Sequence, residues 1–350
     1  MSRGAQDLTP VTPVVVRLDE RGRLLGSDER TPVPRRRIAD HLARHLPVPP
    51  RATDIYVYVH GWQTSARTAV GHARKLVQSA RVLAQARPSL YPGLDGGYRP
   101  WVVVVCWPSS SAPSLAGYRR IRDRAHAMSA PETGQAPLVL GHLLGYLERH
   151  RSSPDGPPVM ANSRGQYLHV LGHSFGGRFL CEAMQWAAGH PELPSVLGWT
   201  RVPGDPGRPF TVDSALIFQM AAPRDAFSHL FPELFPRSGR PGAAPLGGPL
   251  VLTYSRWDTA TGFWHLRAES APGIGHSGTA VAPTPQFTTR LLATDAPYSP
   301  AQLDHRIVNV DAAWRYRGPR VRHLSPGGAH SDFLHAESSH LLLSLSALSR

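Results

Sequence analysis

Short apolar runs alternate along the chain with segments that carry helical periodicity. The clearest strands are predicted at 54–59 and at 101–107, and the second is apolar on both faces, as a central parallel strand should be. The further predicted strands lie at 14–18, 23–25, 167–171, 212–220, 249–254 and 306–310, and the predicted helices at about 38–46, 66–86, 117–128, 137–149 and 338–348. Regular alternation of strands and helices predicts an α/β fold with about eight mostly parallel strands and helices on both faces. The runs 14–18 and 23–25, joined by a turn, are expected to form a hairpin at one edge of this sheet.

No internal repeat and no linker-like segment divides the 350 residues, so 1–350 is interpreted as one domain. Two stretches lack periodicity, 223–248 and 262–304. Long loops in a compact domain are usually functional, so both are predicted to be lid or substrate-loop insertions. A surface insertion without a function is the alternative.

Composition changes the picture little. The net charge of +13 could indicate a nucleic-acid or anionic partner, but Lys75 is the single lysine and the arginines are spread along the chain. Their densest cluster, 35–37, lies beside prolines in a predicted loop and is interpreted as a solvated basic turn. No basic stripe interleaved with aromatic residues is present, so no nucleic-acid partner is predicted.

Cys106 and Cys181 fall in a predicted strand and a predicted helix, which favours two buried thiols over a disulfide framework. Residues 1–28 contain no apolar segment of signal-peptide length, and no apolar run approaches the roughly 18 residues of a membrane span. The sequence therefore predicts a soluble, cytoplasmic protein.

The candidate chemistry centres on Ser174 in Gly-His-Ser-Phe-Gly, which follows the apolar run 167–171 and precedes a helix-forming stretch. A nucleophile elbow of this form needs small residues two positions before and after the serine, and Gly172 and Gly176 meet that need. Gly275-His276-Ser277 begins in the same way but lacks the second glycine and a preceding strand, so it is interpreted as a loop. The pattern predicts Ser174 as a nucleophile.

A nucleophilic serine needs a histidine base and an acid that orients the base. Asp258, after the strand 249–254, is the favoured acid, and Asp225, after the preceding strand, is the rival. His330 is the favoured base because it lies in a glycine-rich loop between the last strand and the last helix. The rival bases are His335 and His305.

Two backbone amides are predicted to bind the oxyanion of an acyl-transfer intermediate. One belongs to Phe175, at the start of the helix after the serine, and the other to Trp62 in His60-Gly61-Trp62, which follows the strand 54–59. His60, Asp225 and Phe227 are expected to line the substrate pocket, and the Phe- and Leu-rich segment 227–235 could receive an apolar acyl group or simply pack in the core. No cofactor and no metal are predicted, although His41 and His45 have the spacing of two ligands on one helix face.

In these motifs the chain resembles the α/β-hydrolase superfamily and, more closely, an uncharacterised bacterial serine hydrolase or esterase family within it. The matching stretches are 58–62, 106–109, 171–177, 221–225, 254–258 and 328–332. The resemblance implies the α/β-hydrolase fold and a triad of Ser174, Asp258 and His330. The expected activity is hydrolysis of a small-molecule carboxylic ester or thioester through an acyl-enzyme. Acyl transfer or peptide hydrolysis on the same triad, and a non-catalytic binding protein of the same fold, are the alternatives.

Overall fold

The computed structural model describes residues 10–151, 166–189, 212–235, 245–318 and 327–350. The described strands are β1 (Val14–Arg17), β2 (Asp54–Val59), β3 (Pro100–Cys106), β4 (Tyr167–His173), β5 (Ser214–Phe218), β6 (Leu250–Tyr254), β7 (Gln286–Arg290) and β8 (Ile307–Asp311). The longer helices are α1 (Ile38–His45), α2 (Ala66–Ala86), α3 (Leu115–Ser129), α4 (Ala136–Arg151), α5 (Phe175–Gly189) and α6 (Ala336–Leu348). Short helical segments lie at Ala226–His229, Ala260–Trp264, His265–Glu269, Ile274–Ser277 and Pro300–Leu303.

The eight strands form one sheet in the order β1-β3-β2-β4-β5-β6-β8-β7, and every pairing is parallel. The prediction of an eight-stranded α/β sheet is confirmed, with parallel pairing throughout. The chain leaves β2 toward one edge and leaves β4 toward the other, although β2 and β4 are neighbours. This reversal is a topological switch point, where ligands of open parallel sheets bind beyond the carboxyl ends of the strands.

Alternating side chains of the central strands enter two hydrophobic cores, one on each face of the sheet. In β2, Ile55, Val57 and Val59 belong to one core, whereas Tyr56 and Tyr58 belong to the other. Helices α1, α3, α4 and α5 contribute to the first core, and α2 and α6 cover the second. Because both faces are covered, β2 and β3 are apolar at nearly every position, and this made them easy to recognise.

Two parts of the strand prediction are wrong. Residues 23–25 form no strand, and their contact with the edge of the sheet is a single antiparallel bridge between Leu18 and Leu24. The eighth strand is instead β7, which lies within the stretch 262–304 that was predicted to be irregular. Its side chains alternate between exposed and half-buried, so Gln286-Phe287-Thr288-Thr289-Arg290 carries little of the apolar signal that marks a strand.

The other irregular regions are also more ordered than predicted where the structure describes them. Gly275-His276-Ser277, predicted to be a loop, lies in the helical turn Ile274–Ser277. In the stretch 223–248, residues 236–244 lie outside the described residues. In the described part of this stretch, Phe227 and Phe231 are fully buried, and their rings meet edge to face at 5.6 Å. Core packing therefore accounts for this aromatic segment.

Both cysteines are buried and unpaired, Cys106 in β3 and Cys181 in α5. Burial raises the pKa of Cys106 to about 11 and that of Cys181 to about 12, so both remain protonated thiols at neutral pH. The basic cluster Arg35–Arg37 is a turn of exposed side chains before α1. Within the residues that the structure describes, no helix has the length and apolarity required to cross a membrane.

Candidate functional site

Ser174 lies at the turn between β4 and α5 with a left-handed backbone, φ 56°. A non-glycine residue in this region is strained, and such strain persists where the surroundings fix the conformation. Here the amide of Ser174 donates to the carbonyl of Phe218 at 3.0 Å. A Cβ atom at Gly176 would lie 2.2 Å from the carbonyl oxygen of His60, and one at Gly172 would lie 2.6 Å from the Cα of Gly177. The turn therefore requires the two glycines that the pattern supplied.

Ser174, His330 and Asp258 lie in one hydrogen-bonded row. The Ser174 hydroxyl lies 2.6 Å from Nε2 of His330, and Nδ1 of the same imidazole lies 2.8 Å from Oδ2 of Asp258. Asp258 is fully buried, whereas the His330 side chain is 13% exposed. The imidazole can thus accept the serine proton on one side while the carboxylate holds Nδ1–H on the other.

The loops that carry the acid and the base are joined by backbone hydrogen bonds. Asp258 closes a turn after β6, in which its amide donates to the carbonyl of Ser255 at 2.9 Å. The amide of Ala329, just before His330, donates to the carbonyl of Trp257, just before Asp258, at 3.0 Å. In addition, the amide of Thr261 donates to Oδ1 of Asp258 at 3.0 Å. These bonds fix the distance between acid and base.

The two predicted oxyanion donors belong to backbone that borders the serine. Phe175 is the first residue of α5, and the amides of a first helical turn have no acceptor within the helix. A Cβ atom at Gly61 would lie 2.8 Å from the Cβ of Ser174, so the backbone that leads into Trp62 lies against the serine. The Tyr118 ring packs against Phe175 at 4.8 Å and against Trp62 at 5.8 Å, which supports both residues from the core.

Two buried histidines border the row without belonging to it. Burial lowers the pKa of His60 to about 4 and lowers that of His173 well below its usual value. Both rings are therefore neutral at pH 7. His60 accepts from the Trp107 amide through Nε2 at 3.2 Å, and its carbonyl accepts from the Trp107 indole at 2.7 Å. These contacts tie His60 to Trp107, the residue that follows β3, and the role of His60 in the substrate pocket stays a prediction.

The other predicted pocket and rival residues lie apart from the row. Asp225 is half exposed, and its Oδ2 lies 3.8 Å from Nε2 of His229. Phe227 is fully buried in the core. Among the rival bases, His335 contacts Asp332 at 2.9 Å, and His305 stacks on Phe287. The described contacts join none of these four side chains to Ser174 or Asp258.

Sequence reasoning missed two buried side chains that touch the row. Nε2–H of His173 donates to the carbonyl of His330 at 2.8 Å, and its ring lies 4.9 Å from the His330 ring. Nε2 of Gln219 contacts both Oδ2 of Asp258 and the carbonyl of Ala329. The sequence offered one signal for Gln219, because it is a polar residue near the end of the apolar run predicted as the strand 212–220.

A cleft of about 610 Å³ lies away from the row, between the loop 26–37 and α1. It contains no residue predicted for the site, and it is lined by residues that include Arg36, Arg37, Arg44, His41 and His45. The His41 and His45 rings stack at 4.1 Å, and Nδ1 of His45 contacts the carbonyl of His41. Across the described residues, no group of three or more His, Cys, Asp or Glu side chains is arranged to hold a metal ion.

No family model matches the sequence, and no curated protein matches it. Among solved structures, an uncharacterized protein from Pseudomonas aeruginosa is similar over 89% of this chain, at 9% sequence identity and a TM-score of 0.36. The match covers 48% of that protein, so the chain spans about half its length. A similarity at this level carries no argument about family or activity. The fold itself is an α/β fold with an eight-stranded, all-parallel sheet between helices.

Proposed function

We propose that this protein is a serine hydrolase of the α/β-hydrolase type that cleaves a carboxylic ester or thioester through an acyl-enzyme. The row Ser174–His330–Asp258, with contacts of 2.6 and 2.8 Å, is the observation that carries the proposal. The left-handed serine at the amino end of α5 supports it, because this turn lifts the hydroxyl above the carboxyl ends of the strands. The position at the switch point between β2 and β4 is a second support.

In the first half-reaction, Oγ of Ser174 attacks the acyl carbon while Nε2 of His330 takes the hydroxyl proton. The negative charge that develops on the carbonyl oxygen is stabilised by the amides of Phe175 and Trp62. Asp258 stabilises the imidazolium through Nδ1–H. The bond to the leaving oxygen or sulfur then breaks, and His330 returns the proton to the leaving group.

In the second half-reaction, water attacks the acyl group on Ser174, and His330 accepts one of the water protons. The tetrahedral intermediate expels Oγ, which regains a proton from His330, and the carboxylic acid departs. Transfer of the acyl group to another nucleophile would follow the same steps with that nucleophile in place of water.

The test is turnover of short-chain p-nitrophenyl esters by the wild type and by Ser174→Ala, together with labelling by a fluorophosphonate. We expect the substitution to lower kcat by at least about 10⁴-fold, because the nucleophile is lost. We also expect the wild type to incorporate one phosphonyl group, located on Ser174 by peptide mass spectrometry.

Ser214→Ala is the matched control, because Ser214 is also buried and also hydrogen-bonded to a histidine. Its kcat should equal that of the wild type. Equal turnover by the wild type and Ser174→Ala, with no labelling of Ser174, would instead favour a non-catalytic binding protein.

A further inference from the structure

Gln219 is the first residue after β5, the neighbour of the elbow strand, and its side chain is fully buried. Its backbone is left-handed, φ 47°, and its amide donates to the carbonyl of Thr253 at 3.1 Å. The segment 274–277 packs on it, since a Cβ atom at Gly275 would lie 2.6 Å from the carbonyl carbon of Gln219. A non-glycine residue keeps this backbone conformation only where its surroundings fix it. The fixed backbone of Gln219 directs its side chain toward the triad.

The carboxamide nitrogen of Gln219 bridges the two catalytic loops. Nε2 donates one hydrogen to Oδ2 of Asp258 at 3.1 Å and the other to the carbonyl of Ala329 at 3.0 Å. Both acceptors are oxygens, so the opposite orientation of the amide would place Oε1 against a carboxylate and a carbonyl. The contacts therefore determine which way the amide points.

We propose that Gln219 is a positioning residue of the triad, an inference that rests on the proposed function. Its amide holds the acid and the loop of the base at once, because Asp258 is itself a triad member and Ala329 directly precedes His330. The same Oδ2 atom accepts from Nδ1 of His330. Gln219 thereby keeps the carboxylate of Asp258 aimed at the imidazole.

The test compares Gln219→Met, which keeps the length of the side chain and removes both donors, with Gln185→Met as a control. Gln185 is also buried, and it also bridges two groups, donating to the carbonyl of Leu230 and accepting from the amide of Glu233. The described contacts do not join Gln185 to the triad. The two substitutions thus remove comparable buried hydrogen bonds at different places.

For Gln219→Met we expect kcat to fall about 10- to 100-fold with KM nearly unchanged, as for the loss of a hydrogen bond to a charged group. Gln185→Met should lower the thermal midpoint by a similar amount and leave kcat unchanged. A purely structural role for Gln219 predicts that the folded Gln219→Met variant keeps the wild-type kcat.

The proposal is overturned if Gln219→Met retains kcat within about twofold, or if Gln185→Met lowers kcat to the same extent with KM unchanged. If Gln219→Met does not fold, Gln219→Asn supplies the test, because it keeps the donors but is too short to span both acceptors. Gln219→Asn should also lower kcat. Loss of the proposed function would appear separately, as wild-type turnover that does not depend on Ser174.

Discussion

The described residues include two sets of Ser, His and Asp side chains, which lie at opposite ends of the sheet. Ser174, His330 and Asp258 lie beyond the carboxyl ends. Near the amino ends, Nδ1 of His169 lies 2.8 Å from the hydroxyl of Ser214, and Nε2 lies 3.4 Å from Asp54. All three residues of this amino-end set are buried within β2, β4 and β5. Residue type alone therefore does not distinguish a candidate catalytic row from a structural one.

The two sets differ in the residues and the backbone that surround them. Asp54 is committed to Arg350, whose guanidinium contacts both carboxylate oxygens, at 3.2 and 2.9 Å. Burial alone would raise the pKa of Asp54, but its contacts with His169 and Arg350 lower the pKa on balance. Ser214 lies within a regular strand, with neither a left-handed turn nor a helix that begins behind it. Ser174 is the candidate nucleophile because it lies in a left-handed turn at the start of a helix and because Asp258 contacts its base, His330.

The largest expected difference between the sets is in catalysis. Asp258→Asn should lower kcat by about 10⁴-fold, because an amide no longer holds the required imidazole tautomer. Asp54→Asn should leave the kcat of the folded protein unchanged. Ester turnover by both variants, at equal concentrations of folded protein, checks the pair, and comparable losses of kcat would contradict the distinction.

The next effect concerns stability and its pH dependence. Arg350→Met leaves the buried carboxylate of Asp54 without its cation and should lower the free energy of unfolding by about 3 kcal/mol at pH 7. In the wild type the lowered pKa of Asp54 contributes stability above the unfolded value of 3.8, and this is lost as pH falls through the folded value. In the variant, burial raises that pKa, so acidification relieves the unpaired charge.

The difference in the free energy of unfolding between wild type and Arg350→Met should therefore be smaller at pH 4 than at pH 7. Urea unfolding at both pH values measures it. An equal difference at both pH values would show that the lost stability comes from packing of the arginine stem rather than from its charge.

The smallest effect is expected at Ser214. Ser214→Ala removes one hydrogen bond to His169 and should lower the free energy of unfolding by about 1 kcal/mol. Its kcat/KM should match that of the wild type. Urea unfolding and ester turnover on the same preparation check both expectations, and a loss of turnover at fixed stability would make the amino-end set functional.

Local signals predicted most of the fold. The strand Asp54–Val59 and the helix Ala66–Ala86 begin and end at the predicted residues, because both have strong periodicity and burial. β7 was missed because it is an edge strand with no fully buried side chain. Residues 23–25 were wrongly predicted as a strand, since two leucines beside a turn resemble one. Leu24 is buried, but it pairs with the edge of the sheet through a single bridge.

The candidate site follows the same division. The elbow could be read directly, because its glycines, strand and helix are contiguous in sequence. His330 and Asp258 could be proposed from their order, but their contact joins residues 72 positions apart and needed the folded chain. Gln219 and His173 gave no motif, since a bridging amide or a neutral buried imidazole has no fixed spacing to its partners.

The sequence by itself determined the alternation of strands and helices and the turn that carries Ser174, because both depend on side-chain patterns within a few residues. The tertiary structure decided which of two Ser, His and Asp sets faces the switch point of the sheet, which acid meets His330 and which amide holds them together. These outcomes depend on parallel register and on burial, which bring together residues that no local pattern connects.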